Sequence, residues 1–349
     1  MQFLAHSRAR VEHLDLFPSR EAYKYTSDRE NILRQFLPGK TKDYYEYLPQ
    51  FDSITHLNGT LGWFEKEPFP ELGRLPHLRS IHLYMDEDTT GPYPDLDSLI
   101  SEDSFPFLDE LKIDRPFIDQ LLGVLVNQSF VKRLNTLILG ILDEYFGFDS
   151  IHGVWELEEY SFSSLWENLS NLKHLEIAVY KPAVLLPLDS TVIGNLLNLP
   201  LQTLTLRGVE IQDLHVATEE MSVLWPELTE LIIPDCLIDL ADISIYALIP
   251  NLSYIELALN LRSPQELKHT RRLTPVKSLE VIRSSARASY MCSSQKDMDL
   301  VIRSLLTVWP GLKRIEWELD TKDELTLALY KQLNEKLDAS RQPGSLNSA

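Results

Sequence analysis

The chain has 349 residues, of which 44% are hydrophobic, and its 33 basic and 52 acidic residues give a formal net charge of −19. This hydrophobic share is typical of a folded protein and excludes a disordered one. The negative charge disfavours non-specific binding to nucleic acid or to anionic membranes. No stretch is long and apolar enough to predict a signal peptide or a membrane-spanning helix.

One phrase recurs along the chain: a leucine, two variable residues, a second apolar residue, one variable residue and a third apolar residue. The clearest copies are residues 76–83, 226–233 and 310–317. The middle apolar residues of the copies are Leu14, Leu57, Ile81, Leu111, Leu137, Leu175, Leu204, Leu231, Ile255, Leu279 and Ile315. Most of these markers are about 24 to 30 residues apart, the length of a leucine-rich repeat.

Each copy predicts a short strand, because its last two apolar residues alternate with period two and share one face. One such strand cannot bury that face alone, so successive strands are expected to stack in parallel around a common core. The segments 119–133 and 294–309 have apolar residues at helical spacing and are predicted helices. A last amphipathic helix is predicted over 322–339, where it covers the final strand, and a disordered tail over 341–349.

The first predicted strand begins at Val11, only ten residues after the start of the chain. The end of a solenoid needs a cap that covers its open strand edge. One expectation is therefore that Met1 marks a partial gene product and that an upstream segment precedes it.

These repeats resemble a leucine-rich-repeat protein over nearly the whole chain and are most similar to the irregular repeats of fungal F-box-type proteins. Cys236 and Asn260 occupy the polar position that this family places three residues after the last apolar residue of the phrase. The resemblance implies an α/β solenoid over residues 1–340, with about eleven repeats. In such a horseshoe a parallel sheet lines the inner face, and the convex side is helical or irregular.

The same resemblance implies a non-enzymatic module for protein–protein interaction, namely the substrate-recognition part of an F-box-like ubiquitin ligase. No F-box motif is visible in the chain. A Skp-type adaptor and a cullin are therefore expected partners only where an F-box lies upstream. The alternative is a stand-alone scaffold or regulator that uses the same surface.

The variable residues of the strands are expected to form the binding surface, because they face the concave side of a horseshoe. Glu176, Glu256, Glu280 and Glu316 are predicted to share one column of solvated carboxylates, which favours a basic segment of a protein partner. The other interpretation of this column is a wet polar surface without a partner. The predicted protein-binding residues are His82, Tyr84, His174, Glu176, Thr205, Tyr254, Glu256, Glu280, Arg314 and Glu316.

The sequence contains no ordered spacing of catalytic or metal-binding residues, so no enzyme activity, metal or cofactor is predicted. A second alternative is an enzyme with its site in the insertion 141–165, which combines acidic and aromatic residues with His152. Basic residues cluster between Arg262 and Arg287 without interleaved aromatics, which favours a patch that complements acidic neighbours, or an acidic protein partner, over nucleic acid.

The chain has two cysteines, Cys236 and Cys292, which are too few for a disulfide framework. Secreted repeat domains commonly rely on disulfides. The cysteine count therefore favours an intracellular protein, in the cytoplasm or the nucleus.

Overall fold

The computed structural model of the chain describes residues 11–15, 48, 50–84, 95–101, 103–114, 125, 129–142, 165–180, 185–217, 223–267, 278–285, 288–292, 294–317 and 324–341. The chain divides into two compact units, residues 1–172 and residues 173–349. Both units combine parallel strands with helices, which confirms the predicted α/β class. The predicted single horseshoe stays a prediction.

The first unit contains a parallel sheet in which each strand pairs with the next one along the chain. Its described strands are β1 His13–Asp15, β2 His56–Thr60, β3 Ser80–Tyr84, β4 Glu110–Asp114 and β5 Thr136–Leu142. The predicted markers of this unit, Leu14, Leu57, Ile81, Leu111 and Leu137, lie opposite one another in one cross-strand row. Each of them is at most 6% exposed, so the predicted strand register is confirmed here.

Four phenylalanines form an aromatic cluster in the core of the first unit. They are Phe64, Phe69, Phe105 and Phe130, and the ring centroids of contacting pairs are 5.2–5.9 Å apart. The short helix α1 Pro68–Gly73 contributes Phe69 and begins with a proline, whose fixed φ suits the first helical turn. The 3₁₀ segments Leu61–Phe64 and Ser129–Arg133 contribute the rings of Phe64 and Phe130.

The helix predicted over 119–133 is only partly within the described residues. Leu125 is helical and buried, and residues 119–124 and 126–128 lie outside the described part of the chain. Residues Ser129–Arg133 form a 3₁₀ helix and not the predicted α-helix.

The second unit contains a larger parallel sheet and a separate two-stranded one. In chain order its described strands are β6 His174–Tyr180, β7 Leu186–Leu188, β8 Thr203–Arg207, β9 Val209–Ile211, β10 Glu230–Asp239, β11 Tyr254–Asn260, β12 Val281–Ser284 and β13 Arg314–Trp317. The larger sheet has the order β6, β8, β10, β11, β12, β13, and β7 pairs in parallel with β9.

The buried row of this larger sheet corrects one predicted marker. Leu175, Leu204, Leu231, Ile255 and Ile315 occupy the row as expected, but β12 contributes Ile282 and not Leu279. Leu279 is also fully buried, yet it lies before the strand. The strand register at β12 is therefore shifted by three residues from the predicted one.

Two polar side chains expected from the repeat pattern make hydrogen bonds between neighbouring repeats. The Cys236 thiol donates to the carbonyl of Val209 at 3.2 Å, and Asn260 Nδ2 donates to Asp239 Oδ1 at 2.7 Å. Cys236 lies between Ile233 and Leu237, where the pairing of β10 with β11 shifts register. Its hydrogen bond therefore connects β10 to Val209 in β9, outside the larger sheet.

Two helices of the second unit begin with a side-chain cap. Helix α2 Ser190–Leu196 is capped by Asp189, whose carboxylate accepts from the amides of Thr191 and Val192. A short helix, α3, spans Leu214–Ala217, and a 3₁₀ segment spans Leu240–Leu248. Helix α4 Gln295–Val308 confirms the helix predicted over 294–309, and Ser294 accepts from the amide of Asp297 as its N-cap.

The last helix, α5 Glu324–Arg341, packs against the edge strand β13. Asn334 accepts a hydrogen bond from the amide of Ile315 at 2.9 Å and donates one to the carbonyl of the same residue at 3.0 Å. The side-chain amide thus occupies the donor and the acceptor that a neighbouring strand would use. Trp317 stacks on Tyr330 with ring centroids 3.9 Å apart, and Leu333 and Leu337 are buried.

Replacing Asn334 with alanine is expected to lower the free energy of unfolding by about 1–3 kcal/mol, because two backbone groups of the edge strand lose their partners. Chemical denaturation would measure the loss. Gln332→Ala is the matched control, since Gln332 is exposed on the same helix. Equal effects of the two substitutions would mean that Asn334 does not hold the strand edge.

Candidate functional site

The larger sheet of the second unit has a partly exposed face opposite its buried row, because side chains alternate along each strand. We call this surface the second-unit strand face. Its central row consists of Glu176, Thr205, Ile232, Glu256, Arg283 and Glu316, which lie opposite one another from β6 to β13. The preceding row consists of His174, Thr203, Glu230, Tyr254, Val281 and Arg314. Nearly all the predicted binding residues of this unit therefore lie on one surface.

Glu280 is the exception, and its predicted place in the column is wrong. It precedes β12, and its carboxylate lies 2.5 Å from the ammonium group of Lys313. Arg283 occupies the central row in its place, beside Glu256 on one side and Glu316 on the other. The column is consequently not a run of carboxylates, because an arginine separates its last two acids.

Glu256 is buried, which overturns the expectation that this carboxylate is solvated. Its side chain is 4% exposed, and its Oε1 lies 3.6 Å from Nη1 of Arg207. The Tyr254 hydroxyl donates a hydrogen bond to Oε2 at 3.1 Å. A buried charge needs a nearby opposite charge and hydrogen-bond donors, and Arg207 and Tyr254 supply them here.

The ionisation of Tyr254 reflects this environment. Burial, the negative charge of Glu256 and the hydrogen bond to Glu256 raise the pKa of the Tyr254 hydroxyl, while Arg283 and Arg207 lower it in part. The hydroxyl therefore stays protonated at neutral pH and remains a donor. The guanidinium carbon of Arg283 lies 5.9 Å from the centre of the Tyr254 ring, a cation–π distance.

Glu316 also has basic neighbours on both sides. Nη2 of Arg314 lies 2.6 Å from its Oε1, and Nη2 of Arg283 lies 3.7 Å from its Oε2. At the other end of the sheet, Nδ1 of His174 is 2.9 Å from the Thr203 hydroxyl. The second-unit strand face is therefore a surface of paired charges with a tyrosine and an isoleucine near its centre.

The predicted residues His82 and Tyr84 lie in the first unit, in a separate cluster on β3 and β4. Nε2 of His82 lies 2.8 Å from Oδ2 of Asp114, and the Tyr84 hydroxyl lies 3.3 Å from Nδ1 of His82. The rings of His82 and Tyr84 are in contact, with centroids 4.2 Å apart. Nζ of Lys112 is 3.5 Å from the same carboxylate oxygen of Asp114.

Asp114 is buried beneath this cluster. Burial raises the pKa of its carboxyl group, but the hydrogen bond from His82 and the positive charge of Lys112 outweigh it, so the pKa lies below the ordinary value of 3.8. The carboxylate is therefore charged at neutral pH and fixes the orientation of the His82 ring.

This pKa shift predicts a pH-dependent contribution to stability. A carboxylate whose pKa is lowered in the folded state stabilises the protein above its unfolded pKa, and the gain is lost as the pH falls through the folded pKa. Asp114→Asn is expected to lower the free energy of unfolding by about 1.5–3 kcal/mol at neutral pH, since bonds to a charged group are lost. The difference between wild type and variant should shrink as the pH falls below about 4.

Melting temperatures of the two proteins between neutral pH and pH ~3 would measure this difference. Asp109→Asn is the control, because Asp109 is only partly buried and its carboxyl group makes no ion pair among the described residues. If the difference in melting temperature between wild type and Asp114→Asn were constant over this pH range, the role given to the carboxylate would be wrong.

Sequence reasoning missed Arg207, Arg283 and Asp114 as members of these clusters. Arg207 and Asp114 each lie two residues beyond a strand residue of the same face, Thr205 and Lys112. Extending the period-two alternation by one step would have included both. Arg283 was missed because the strand register at β12 was assigned wrongly.

Several predicted features are outside the described part of the chain. These are residues 143–164 of the insertion and the basic residues Lys268, Arg271, Arg272, Lys277 and Arg287. Within the described ranges, no group of three or more histidines, cysteines or acidic residues is placed to hold a metal ion. Cys236 and Cys292 are buried free thiols, and burial raises the pKa of Cys236 to about 12 and that of Cys292 to about 11, so both stay protonated at neutral pH.

No protein-family model matches the chain, and no curated protein matches it. Among the described residues, none of the helices combines the length and the apolar character that crossing a membrane requires.

Proposed function

We propose that the chain is a non-enzymatic protein-interaction module of the leucine-rich-repeat kind and that the second-unit strand face is its binding surface. The observation that carries the proposal is the shared central row, which brings side chains from six strands into one partly exposed surface. Stacked repeats commonly present binding surfaces of this kind.

The composition of the surface supports recognition of a protein. Tyrosine and arginine are the residues that most often anchor protein interfaces, and here Tyr254 lies beside Arg207 and Arg283. Ile232 adds a half-buried apolar side chain at the middle of the central row. An apolar centre with polar neighbours is the usual anatomy of a protein interface.

Ile232→Lys in the full chain tests the surface directly. Bound proteins recovered by affinity purification and quantified by mass spectrometry are expected to be lost with this variant. Leu327→Lys is the matched control, because Leu327 is an apolar side chain that is 44% exposed on α5. Recovery of the same proteins with Ile232→Lys as with wild type would show that binding occurs elsewhere.

Within this proposal, the role is substrate recognition for an F-box-like ubiquitin ligase, which the resemblance of the repeats to fungal F-box-type proteins supports. The protein then works inside the cell, in the cytoplasm or the nucleus. Co-purification of a Skp-type adaptor and a cullin with the full-length gene product is the expected result. A reproducible partner without either of them would favour the stand-alone scaffold or regulator instead.

A further inference from the structure

We infer that the second-unit strand face binds an acidic segment of its protein partner, and that Arg207 and Arg283 hold carboxylates of that segment on either side of Tyr254. The inference rests on the proposed function, since it names the chemistry of the partner for the same surface. The glutamate column predicted a basic segment as the ligand of this surface, and the inference replaces it with an acidic one.

The guanidinium groups of Arg207 and Arg283 have donors to spare. Each group carries five N–H donors, yet neither makes a hydrogen bond to a described residue. Their ion-pair contacts are long, 3.6 Å from Arg207 to Glu256 and 3.7 Å from Arg283 to Glu316. The two side chains are 45% and 44% exposed, so a ligand can reach them. Paired N–H donors in a planar group match the two oxygens of a carboxylate.

The two carboxylates that contact these arginines, Glu256 and Glu316, are much less available to a basic ligand than is Glu230, which is exposed on the same face. Glu256 is 3% exposed and already accepts from Tyr254. Glu316 has an arginine at each oxygen. A lysine or arginine of a partner would have to displace these cations, whereas an incoming carboxylate meets exposed donors.

Tyr254 and the buried carboxylate hold the arginines in place. Glu256 attracts Arg207 from below and accepts the Tyr254 hydroxyl, and the Tyr254 ring lies beside the Arg283 guanidinium. Two cations that are positioned before binding lose less side-chain freedom when the ligand arrives.

Selection of random twelve-residue peptides displayed on phage, with the purified full chain immobilised, tests the inference. We expect enriched peptides to be rich in Asp and Glu. In fluorescence polarisation, Arg283→Gln should weaken the binding of an enriched peptide about tenfold or more, and raised salt should weaken it further. Arg303→Gln, an exposed arginine on α4 without an ion pair to a described residue, should leave the affinity unchanged.

Arg207→Lys guards against misfolding, because it keeps the cation beside Glu256 and removes only the paired donors. It should also weaken the binding of the acidic peptides while leaving the melting temperature near that of wild type.

Enriched peptides that are basic, or acidic peptides that bind Arg283→Gln and Arg207→Lys as tightly as wild type, would overturn the inference. If peptides of either kind bind Ile232→Lys more weakly than wild type, the proposed binding surface still stands, although the inference of an acidic partner does not. Peptides indifferent to Ile232→Lys, Arg207→Lys and Arg283→Gln alike would overturn both.

Discussion

Replacing Leu231 with alanine is expected to lower the free energy of unfolding by about 2–5 kcal/mol, the usual cost of removing a buried leucine side chain. Leu231 is fully buried and lies in the core row between Leu204 and Ile255. The cavity would therefore open between two neighbouring repeats and weaken the contact of each with the next. Chemical denaturation of the purified variant would measure the loss.

Glu230→Ala provides the comparison for this prediction. Glu230 directly precedes Leu231 in β10, but its side chain is exposed on the opposite face of the strand. A substitution at such a position usually changes stability by no more than about 0.5 kcal/mol. Equal losses of stability for the two variants would show that the register assigned to β10 is wrong.

The strands were predictable from the sequence because their signal is local. A leucine, a spacing of three and a period-two alternation identify a buried row wherever all three apolar positions are filled, as in β10 and β11. In β12 the last of these positions is Ser284, which is fully buried and accepts a hydrogen bond from the amide of Leu259. Without an apolar residue there, the pattern predicted Leu279 and not Ile282 as the middle apolar position of this copy.

The charges of the site were not predictable in the same way, because their partners come from other strands. Arg207 reaches Glu256 across the intervening strand β10, which only a long flexible side chain and the final packing allow. A glutamate in an exposed-face position was expected to be solvated, and nothing in the local sequence of β11 indicates that Glu256 is covered. Burial of a charge is set by tertiary neighbours, which the repeat pattern does not encode.

Glu256→Lys is expected to destabilise the protein by about 3–5 kcal/mol, the cost of removing one partner of a buried ion pair. The substitution also places a cation at a position that is 3% exposed, beside Arg207 and opposite Arg283. Three positive groups would then meet in a region of low dielectric, where repulsion between like charges is strongest. The solvated carboxylate predicted from the sequence would instead have tolerated this change.

Two further variants separate charge from packing in this prediction. Glu256→Gln keeps an acceptor for the Tyr254 hydroxyl and adds no cation, so its loss of stability should be clearly smaller than that of Glu256→Lys. Glu230→Lys reverses a charge on an exposed side chain of the same face and should change the free energy of unfolding by no more than about 0.5 kcal/mol. Denaturation curves should show the largest loss of unfolding free energy for Glu256→Lys, a smaller loss for Glu256→Gln and the smallest for Glu230→Lys. If the two lysine variants unfolded alike, Glu256 would have to be accessible to water, and the fixed position of Arg207 would lose its physical basis.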